Sequence, residues 1–225
     1  HMGKLAIADF SALGESVRYN CPFVEFIIQF SHPDECNENS IPAIKFAKDG
    51  EALFKQVKKG EKPELKKKWE EMKAAVKETD GCMVIYTTGS TGFPKPALLS
   101  HRGITAQNLC LGLGFKIESS DVFLLNLPPS HVGGQTEQLM TTFFMGGKII
   151  SMNLFNENQS LEAIEKYKVT CIGQIPALFN YQWDLPNYKD YDLSSLKFAL
   201  YGGQSVSRQF LEKLSEMAPK FGTGL

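Results

Sequence analysis

Short apolar runs alternate with segments of helical pattern through most of this chain after residue 80. Apolar runs bounded by turn residues predict strands, and apolar positions spaced by 3.6 residues predict helices. The predicted strands are Cys82–Tyr86, Val122–Leu127, Lys148–Met152, Val169–Gln174 and Phe198–Tyr201; the predicted helices are Arg102–Leu113, Gln135–Phe144, Ser160–Tyr167 with Ser160 as candidate N-cap, and Gln209–Met217. This alternation indicates an α/β fold in which parallel sheets are flanked by helices.

The pattern before residue 80 is less regular. We expect a helix over Phe10–Tyr19, a strand over Pro22–Phe30 and a polar loop over Ser31–Ser40. Glu51–Glu78 has a charged helical pattern that is interrupted at Gly60–Pro63. The N-terminal third is therefore expected to add at least one helical segment and one strand to the α/β fold.

The lysine triplet Lys66–Lys68 is a candidate basic patch for nucleic acid. Glutamates at helical spacing surround it, namely Glu64, Glu70, Glu71 and Glu78, and the formal net charge of the whole chain is -1. Paired opposite charges at three- and four-residue spacing are typical of a solvated helix face. We therefore expect no nucleic-acid partner.

Composition agrees with a globular domain, since 43% of the 225 residues are hydrophobic and 22% are charged. No apolar run has the length of a transmembrane segment, and no leader pattern is present, so we expect a cytoplasmic location. Residues 1–3 are interpreted as the remnant of a tag. The five cysteines are widely spaced and form no C-x-x-C pair, so we expect no metal site and no disulfide framework. Cys82 and Cys171 lie in apolar runs and are expected to be small buried residues.

The chemistry of the chain is concentrated between Tyr86 and Lys95. This segment follows a predicted strand and contains Thr87, Thr88, Gly89, Ser90, Thr91, Gly92 and Lys95. Glycines let backbone N–H groups approach an anion, hydroxyls donate hydrogen bonds to its oxygens, and lysine supplies positive charge. Such a composition also occurs in solvated turns that bind nothing. It is not a Walker loop, because Phe93 and Pro94 separate Gly92 from the lysine.

The order of these residues resembles the phosphate loop of the adenylate-forming superfamily, which includes the acyl-CoA synthetases. Tyr86 through Lys95 match every specified position of that motif, and the departure is Pro96 where the family has glycine. Proline fixes φ and removes one backbone donor. Three later segments resemble further family motifs in the same order: Leu127–Gly134, Gly173–Leu178 and Tyr201–Val206.

The resemblance implies a role for each matching residue. The loop residues Thr87 to Gly92, with Lys95, would bind the phosphates of ATP, and Lys95 and Thr91 are the candidate catalytic residues. Gly202, Gly203 and Gln204 would lie against adenine. His131, Gly133 and Gly134 would line the acyl pocket, although His131 has an equally good structural interpretation in which one ring nitrogen bonds the backbone.

The activity that the resemblance implies is ATP-dependent ligation of a carboxylate to coenzyme A through an acyl-adenylate, with Mg²⁺ on the phosphates. Met140, Phe143, Phe144 and Ile175–Phe179 offer an apolar wall, which favours a fatty acid, although such residues are equally suited to a core. Two alternatives stay open: a noncatalytic nucleotide- or phosphate-binding module, and a peptide-synthetase-like adenylation domain. The second is disfavoured because Gln174 occupies the region where an ammonium-binding aspartate is expected.

The resemblance also predicts how the chain is organised. It implies two αβα-type subdomains, residues 4–125 with the phosphate loop 86–96, and residues 126–225. Family members carry a magnesium-binding glutamate, a ribose-binding aspartate and a small C-terminal domain with a catalytic lysine, and no match to these is found before Leu225. We therefore expect the chain to be an excised part of a larger enzyme that does not catalyse the reaction alone.

Overall fold

The computed structural model describes residues 4–5, 8–87, 92–152 and 154–223, and the chain divides into two compact units, His1–Val76 and Lys77–Leu225. In the first unit the elements are β1 (Lys4–Leu5), β2 (Ala8–Asp9), α1 (Phe10–Asn20), β3 (Ile27–Gln29), β4 (Ser40–Pro42), α2 (Ala43–Lys58) and α3 (Pro63–Ala75). In the second they are β5 (Gly81–Thr87), β6 (Lys95–Ser100), α4 (His101–Gly114), β7 (Val122–Leu125), a π-helix (Gly133–Met140), α5 (Thr141–Phe144), β8 (Lys148–Ser151), α6 (Glu157–Tyr167), β9 (Cys171–Gln174), α7 (Pro176–Trp183), β10 (Phe198–Tyr201), α8 (Arg208–Met217) and β11 (Lys220–Thr223).

The first unit confirms the predicted helix α1 but shortens the strand predicted after it. The backbone N–H of Val24 donates to the carbonyl of Cys21 at 2.9 Å, and this turn leaves only β3 in strand conformation. The strand β4 is not predicted by the sequence, since only its first residue falls within the predicted loop Ser31–Ser40, and it pairs in parallel with β3 through Ile28 and Ile41. The prediction of an extended strand from Pro22 was therefore wrong for its first half.

The helices α2 and α3 are separated where the sequence predicts a break. Gly60 has a φ of +80°, and Pro63 begins α3. Proline suits this first helical position, because a backbone N–H there would have no partner within the helix. The rings of Phe54 and Trp69 meet edge-on at 6.3 Å between the two helices. Lys67, in the lysine triplet, lies 3.8 Å from the carboxylate of Glu71, an exposed pair at the predicted four-residue spacing.

The second unit contains an antiparallel hairpin and a parallel sheet. The hairpin pairs β5 with β6, from Gly81 opposite Ser100 to Thr87 opposite Lys95. Pro96 lies in this strand opposite Tyr86, so the chain continues in extended conformation past the departure from the family motif. The sheet has the order β11-β10-β9-β7-β8 with every neighbouring pair parallel.

Helices and apolar side chains cover both faces of the parallel sheet, as the sequence predicts for near-continuous apolar strands. On one face Leu124, Ile172 and Ala199 are fully buried against residues of α6, α7 and α8. On the other face the neighbouring strand residues Phe123, Cys171 and Phe198 pack with Ile117 and Phe115. Consecutive residues of each strand thus point into different halves of the core.

The prediction that Ser160 caps its helix is wrong. Helix α6 starts one turn earlier, at Glu157, and the side chain of Asn156 accepts a hydrogen bond from the Gln159 N–H at 2.9 Å. Ser160 is instead fully buried within the helix. A serine before an apolar helical pattern is a good cap signal, but here an asparagine four residues earlier takes that role.

Several further elements were not predicted as they occur, among them the strand β6, which follows the predicted phosphate loop and makes it part of an antiparallel hairpin. The chain after Pro176 forms helix α7, and residues at the C-terminus form the edge strand β11. The segment predicted as one α-helix from Gln135 to Phe144 starts as a π-helix, which turns into α5.

The two cysteines singled out by the sequence differ in environment. Cys171 is fully buried, and burial raises the pKa of its thiol to about 12, so it behaves as a small apolar residue as predicted. Cys82 is exposed, because the hairpin that carries it presents this position to solvent, and the prediction of burial is wrong there.

The subdomain boundary expected between residues 125 and 126 stays a prediction. In the structure β7, which ends at Leu125, pairs with both β8 and β9 of the same parallel sheet.

Among the described residues, no helix combines the length and apolar character that crossing a bilayer requires.

A buried carboxylate ties the amino ends of three strands together. Asp121 precedes β7, and it accepts hydrogen bonds from the Thr170 hydroxyl before β9 at 2.8 Å and from the Glu118 N–H at 2.9 Å. The ammonium of Lys197, before β10, lies 2.7 Å from the same carboxylate. Burial alone would raise the pKa of Asp121, but these partners outweigh it and hold the pKa below its ordinary value of 3.8.

We expect Asp121→Asn to destabilise the protein by about 1–3 kcal/mol at pH 7, because the hydrogen bonds to a charged acceptor are weakened. A lowered folded-state pKa contributes stability above the ordinary value, and that contribution is lost as the pH falls through the folded value. The difference between variant and wild type should therefore be constant near neutral pH and shrink below 3.8. Urea unfolding across this range measures it.

Asp190→Asn is the control, since Asp190 is exposed in a short turn. It should change the free energy of unfolding by less than about 0.5 kcal/mol. A stability difference for Asp121→Asn that did not change with pH would contradict the assignment of the ionised carboxylate to this position.

Candidate functional site

The predicted phosphate loop connects the two strands of the hairpin. Thr87 ends β5 and Lys95 begins β6, and the two residues are paired opposite each other. Both are exposed, and among the described residues none forms an ion pair with Lys95. Gly92 has a φ of +91°, where side-chain-bearing residues are strained, and a Cβ there would meet nothing within 4 Å. The remaining predicted loop residues, Thr88, Gly89, Ser90 and Thr91, lie outside the described residues.

A cavity of about 160 Å³ opens at the carboxyl edge of the parallel sheet. Its wall brings together four residues that the sequence assigns to two different motifs: His131, Gly133, Gly202 and Gly203. Ligand sites of parallel α/β sheets are typically found at this edge, where loops following neighbouring strands converge. Gln204, which is exposed, and Gly134 do not line the cavity.

His131 stands at the exposed rim of the cavity. Its Nδ1 accepts a hydrogen bond from the backbone N–H of Gly133 at 3.0 Å. In the neutral ring the proton is then carried by Nε2. This is the hydrogen bond between a ring nitrogen and the backbone that a structural role of His131 predicts. It also holds the imidazole ring beside the cavity.

The sequence analysis missed the adjacent polar residues of the π-helix. Glu137 and Gln138 both line the cavity, and the sequence analysis assigned no role to either. Burial raises the pKa of the Glu137 carboxyl, and the nearby His131 offsets part of that rise. Gln138 is 4% exposed, and its Nε2 donates to the carbonyl of Gly173 at 2.6 Å. The polar sequence between Gly134 and Leu139 in an otherwise apolar helix was the available signal.

Gln174, at the end of β9, lines the cavity and belongs to a closed ring of four buried side chains. Asn126 Nδ2 donates to Gln174 Oε1 at 2.6 Å and to Ser160 Oγ at 2.9 Å. Gln174 Nε2 donates to Gln182 Oε1 at 2.5 Å, and Gln182 Nε2 donates to Ser160 Oγ at 2.8 Å. The ring joins two strand ends to α6 and α7, and it fixes the orientation of the Gln174 amide.

The apolar wall differs from the one that the sequence predicts. Ile175 lines the cavity, but Phe179 is fully buried in the core. Phe143 and Phe144 are 57% and 47% exposed, and neither they nor Met140 border the cavity. These residues were expected at the wall because they are apolar, and apolar character alone does not decide whether a side chain faces the cavity, the core or solvent.

Comparison with known proteins places this geometry in a family. The profile described as AMP-binding enzyme matches residues 25–224. The chain belongs to the AMP-binding enzyme family. This membership confirms the resemblance drawn from the four ordered motifs.

Several proteins that are similar to this chain in sequence are named as CoA ligases or CoA synthases. The chain is 28% identical over 145 residues to feruloyl-CoA synthase of Amycolatopsis sp, which covers 64% of this chain and 30% of that protein. It is 30% identical over 145 residues to 4-coumarate--CoA ligase of Pinus taeda, with 62% of this chain and 27% of that protein covered. The chain thus spans less than a third of the length of these relatives.

The fold also matches solved structures of AMP-binding enzymes. The N-terminal domain of FACL13 from Mycobacterium tuberculosis superposes with a TM-score of 0.62 at 22% sequence identity, covering 67% of this chain and 38% of that one. The likeness confirms the predicted α/β fold with a parallel sheet flanked by helices.

Within this AMP-binding chain, Gly134 has a steric role apart from the cavity. A Cβ at this position would lie 2.8 Å from both the carbonyl oxygen of Leu127 and the carbonyl carbon of Pro128. These are backbone atoms, which cannot move aside as a flexible side chain does. The glycine therefore lets the π-helix pack directly on the loop that follows β7.

We expect Gly134→Ala to destabilise the protein by about 1–3 kcal/mol, because the added methyl group forces the helix and loop apart. Gly114→Ala is the matched control, since a Cβ at the end of α4 would meet nothing within 4 Å. Thermal and urea unfolding of both variants measure the difference. Equal stability of the two variants would show that the loop relaxes without cost.

Proposed function

We propose that this chain is the nucleotide-binding and acid-binding portion of an ATP-dependent ligase that joins a carboxylic acid to coenzyme A. The observation that carries the proposal is the cavity at the carboxyl edge of the sheet. There the motif with His131 and Gly133 meets the turn with Gly202 and Gly203. In this proposal the acid binds beside His131 and Gly133, and the adenine of the nucleotide binds beside Gly202 and Gly203.

The reaction proposed has two steps. An oxygen of the carboxylate attacks the α-phosphorus of ATP, the bond to the β-phosphate oxygen breaks, and pyrophosphate leaves. The thiol of coenzyme A then attacks the acyl carbon, and AMP leaves. Both steps redistribute negative charge on phosphate oxygens, so their catalysis depends mainly on positioning and electrostatic stabilisation.

The hairpin supplies the residues for the first step. Lys95 is exposed at the strand end opposite Thr87, with its charge available to the departing pyrophosphate. The other proposed phosphate ligands are Thr88, Gly89, Ser90, Thr91 and Gly92, and Gln204 is proposed to bond the adenine edge. Mg²⁺ neutralises phosphate oxygens when bound, but the described residues include no group of three or more His, Cys, Asp or Glu that fits a metal.

The cavity has room for an aromatic ring. A cavity of about 150 Å³ lined by apolar side chains accepts one benzene molecule, and the volume here is about 160 Å³. Feruloyl-CoA synthase and 4-coumarate--CoA ligase, both similar to this chain, are named for acids of that kind. We therefore propose an aromatic acid as substrate. The fatty acid expected from the apolar wall is the competing candidate.

Two other functions compete with the ligase. A noncatalytic binding module would keep nucleotide affinity without pyrophosphate release. A peptide-synthetase-like domain needs an anionic partner for the substrate ammonium. Gln174, where that partner is expected, is neutral and has its amide engaged in the buried ring, which disfavours this alternative. The Glu137 carboxyl also borders the cavity, so activity on amino acids would support it.

The test is pyrophosphate release and acyl-CoA formation by the natural protein that carries this sequence, across aromatic acids, short and long fatty acids, and amino acids. We expect activity on aromatic acids, and Lys95→Ala should lower kcat/KM by about 10²-fold or more, since one donor to developing charge is removed. The 225-residue chain alone should bind ATP weakly and release no sustained pyrophosphate.

Lys148→Ala is the matched control, because Lys148 is also an exposed lysine at the first position of a strand. It should leave kcat/KM unchanged. ATP binding without turnover on any acid would support the noncatalytic module, and activity confined to fatty acids would replace the aromatic substrate.

A further inference from the structure

We propose that the helices α2 and α3 form a docking surface for a lipid bilayer that contains anionic lipid. The surface consists of Phe46, Leu53, Phe54, Trp69 and Met72 with the lysines beside them, and we call it the basic-aromatic face. It lies in the first compact unit, whereas the residues of the proposed ligase site lie in the second. The inference therefore goes beyond the proposed function and does not depend on it.

The large apolar side chains of these two helices are exposed to solvent. The five apolar residues of the basic-aromatic face are each between 43% and 61% exposed. Every residue of α2 and α3 is described, and none of them is buried. An amphipathic helix of a globular domain ordinarily turns its apolar stripe towards the core. An exposed apolar patch is instead typical of an interaction site.

The exposed apolar residues belong to one continuous patch. Phe46 is followed by Leu53 and Phe54 at seven and eight residues, a spacing that puts all three on one side of α2. Trp69 and Met72 are three residues apart and share one side of α3. The rings of Phe54 and Trp69 meet edge-on at 6.3 Å between the helices. This contact joins the two apolar stripes into one face.

Lysines stand directly beside this apolar patch. Lys58 Nζ lies 4.7 Å from the centre of the Phe54 ring, and Lys73 Nζ lies 4.7 Å from the centre of the Trp69 ring. A lysine stem can follow an apolar surface while its ammonium group stays among water or lipid headgroups. The patch is therefore bordered by positive charge.

The helix pair is basic in a chain that is not. Residues 43–75 contain ten lysines and six acidic residues, a formal net charge of +4, while the whole chain has -1. Some lysines are neutralised within the helices, as Lys67 is by Glu71 at 3.8 Å. Among the described residues, Lys66 and Lys68 form no ion pair. Their charge is available to an anionic partner.

Three kinds of partner could cover an apolar face with a basic border. A second copy of this chain would bring two such faces together, and their like charges would repel each other. A nucleic acid would neutralise the lysines but offers no apolar interior in which Leu53 and Met72 could be buried. The interface of an anionic bilayer offers both, since acyl chains receive the apolar side chains and headgroups attract the lysines. Tryptophan, here Trp69, is enriched at such interfaces.

The experiment measures sedimentation of the natural protein that carries this sequence with vesicles. The vesicles contain phosphatidylcholine alone, or phosphatidylcholine with about 30% phosphatidylserine. We expect binding to the anionic vesicles, and weaker binding without phosphatidylserine or at high salt, because salt screens the lysine charges. The double variant Lys66→Gln, Lys68→Gln should weaken binding about tenfold or more. Phe46→Ser and Met72→Ser should each weaken it about tenfold, because an apolar side chain is no longer buried.

Matched controls carry the same kinds of change outside the basic-aromatic face. The double variant Lys148→Gln, Lys189→Gln removes the same charge from exposed positions of the second unit, and Leu154→Ser replaces an exposed apolar residue. Both controls should keep vesicle binding. Circular dichroism of Phe46→Ser and Met72→Ser should match the wild type, since both positions are exposed. The two positions lie on different helices, so one stays informative if the other variant fails to fold.

Absence of binding to anionic vesicles, or binding that the variants of the face leave unchanged, would overturn the inference. Tighter binding to single-stranded RNA, lost in the lysine variant alone, would assign the face to a nucleic acid and overturn it. Self-association that Met72→Ser abolishes, without vesicle binding, would assign the face to a second copy and also overturn it.

Pyrophosphate release by the same variants separates this inference from the proposed function. The face variants should release pyrophosphate at the wild-type rate in the absence of vesicles. A wild-type protein that binds anionic vesicles without releasing pyrophosphate on any acid would remove the ligase function and keep the docking surface.

Discussion

The closed ring of Asn126, Ser160, Gln174 and Gln182 is the constraint on which the site depends. All four side chains are buried, and their hydrogen bonds run between two strand ends and two helices. In an apolar interior each unpaired polar group is destabilising, so the ring favours one arrangement of these elements over close alternatives. Among the described residues, Asn126 Oδ1 is the one side-chain N or O atom of the ring that is buried without a hydrogen-bond partner, so one acceptor remains unpaired.

The same carboxyl edge of the sheet supplies the cavity wall. Gln174 is held by the ring, and Gln138 is held by the carbonyl of Gly173 one residue earlier. Two amides therefore border one small, largely apolar space. Among the described residues, Gln138 Oε1 is a buried acceptor without a hydrogen-bond partner.

The opposite edge of the sheet is organised for stability. Asp121 joins the starts of three strands through Thr170 and Lys197, and no sequence motif of the family falls there. The chemistry and the anchoring of the sheet are thus separated to its two ends. The hairpin that carries Lys95 is a separate antiparallel element, in which Lys95 is paired opposite Thr87.

The sequence by itself determined the alternation of strands and helices after residue 80 and the family motifs, because these depend on local periodicity and spacing. It did not predict the strand β6 or the hairpin that pairs Thr87 with Lys95. It did not determine which polar side chains meet. Ser160 fitted a helix cap in sequence but is buried opposite Asn126, thirty-four positions away. Glu137 and Gln138 face the cavity through a π-helix, whose longer turn shifts every side chain away from the 3.6-residue pattern. Only the tertiary structure decides such contacts, since they arise from strand register and from packing between segments that are distant in the chain.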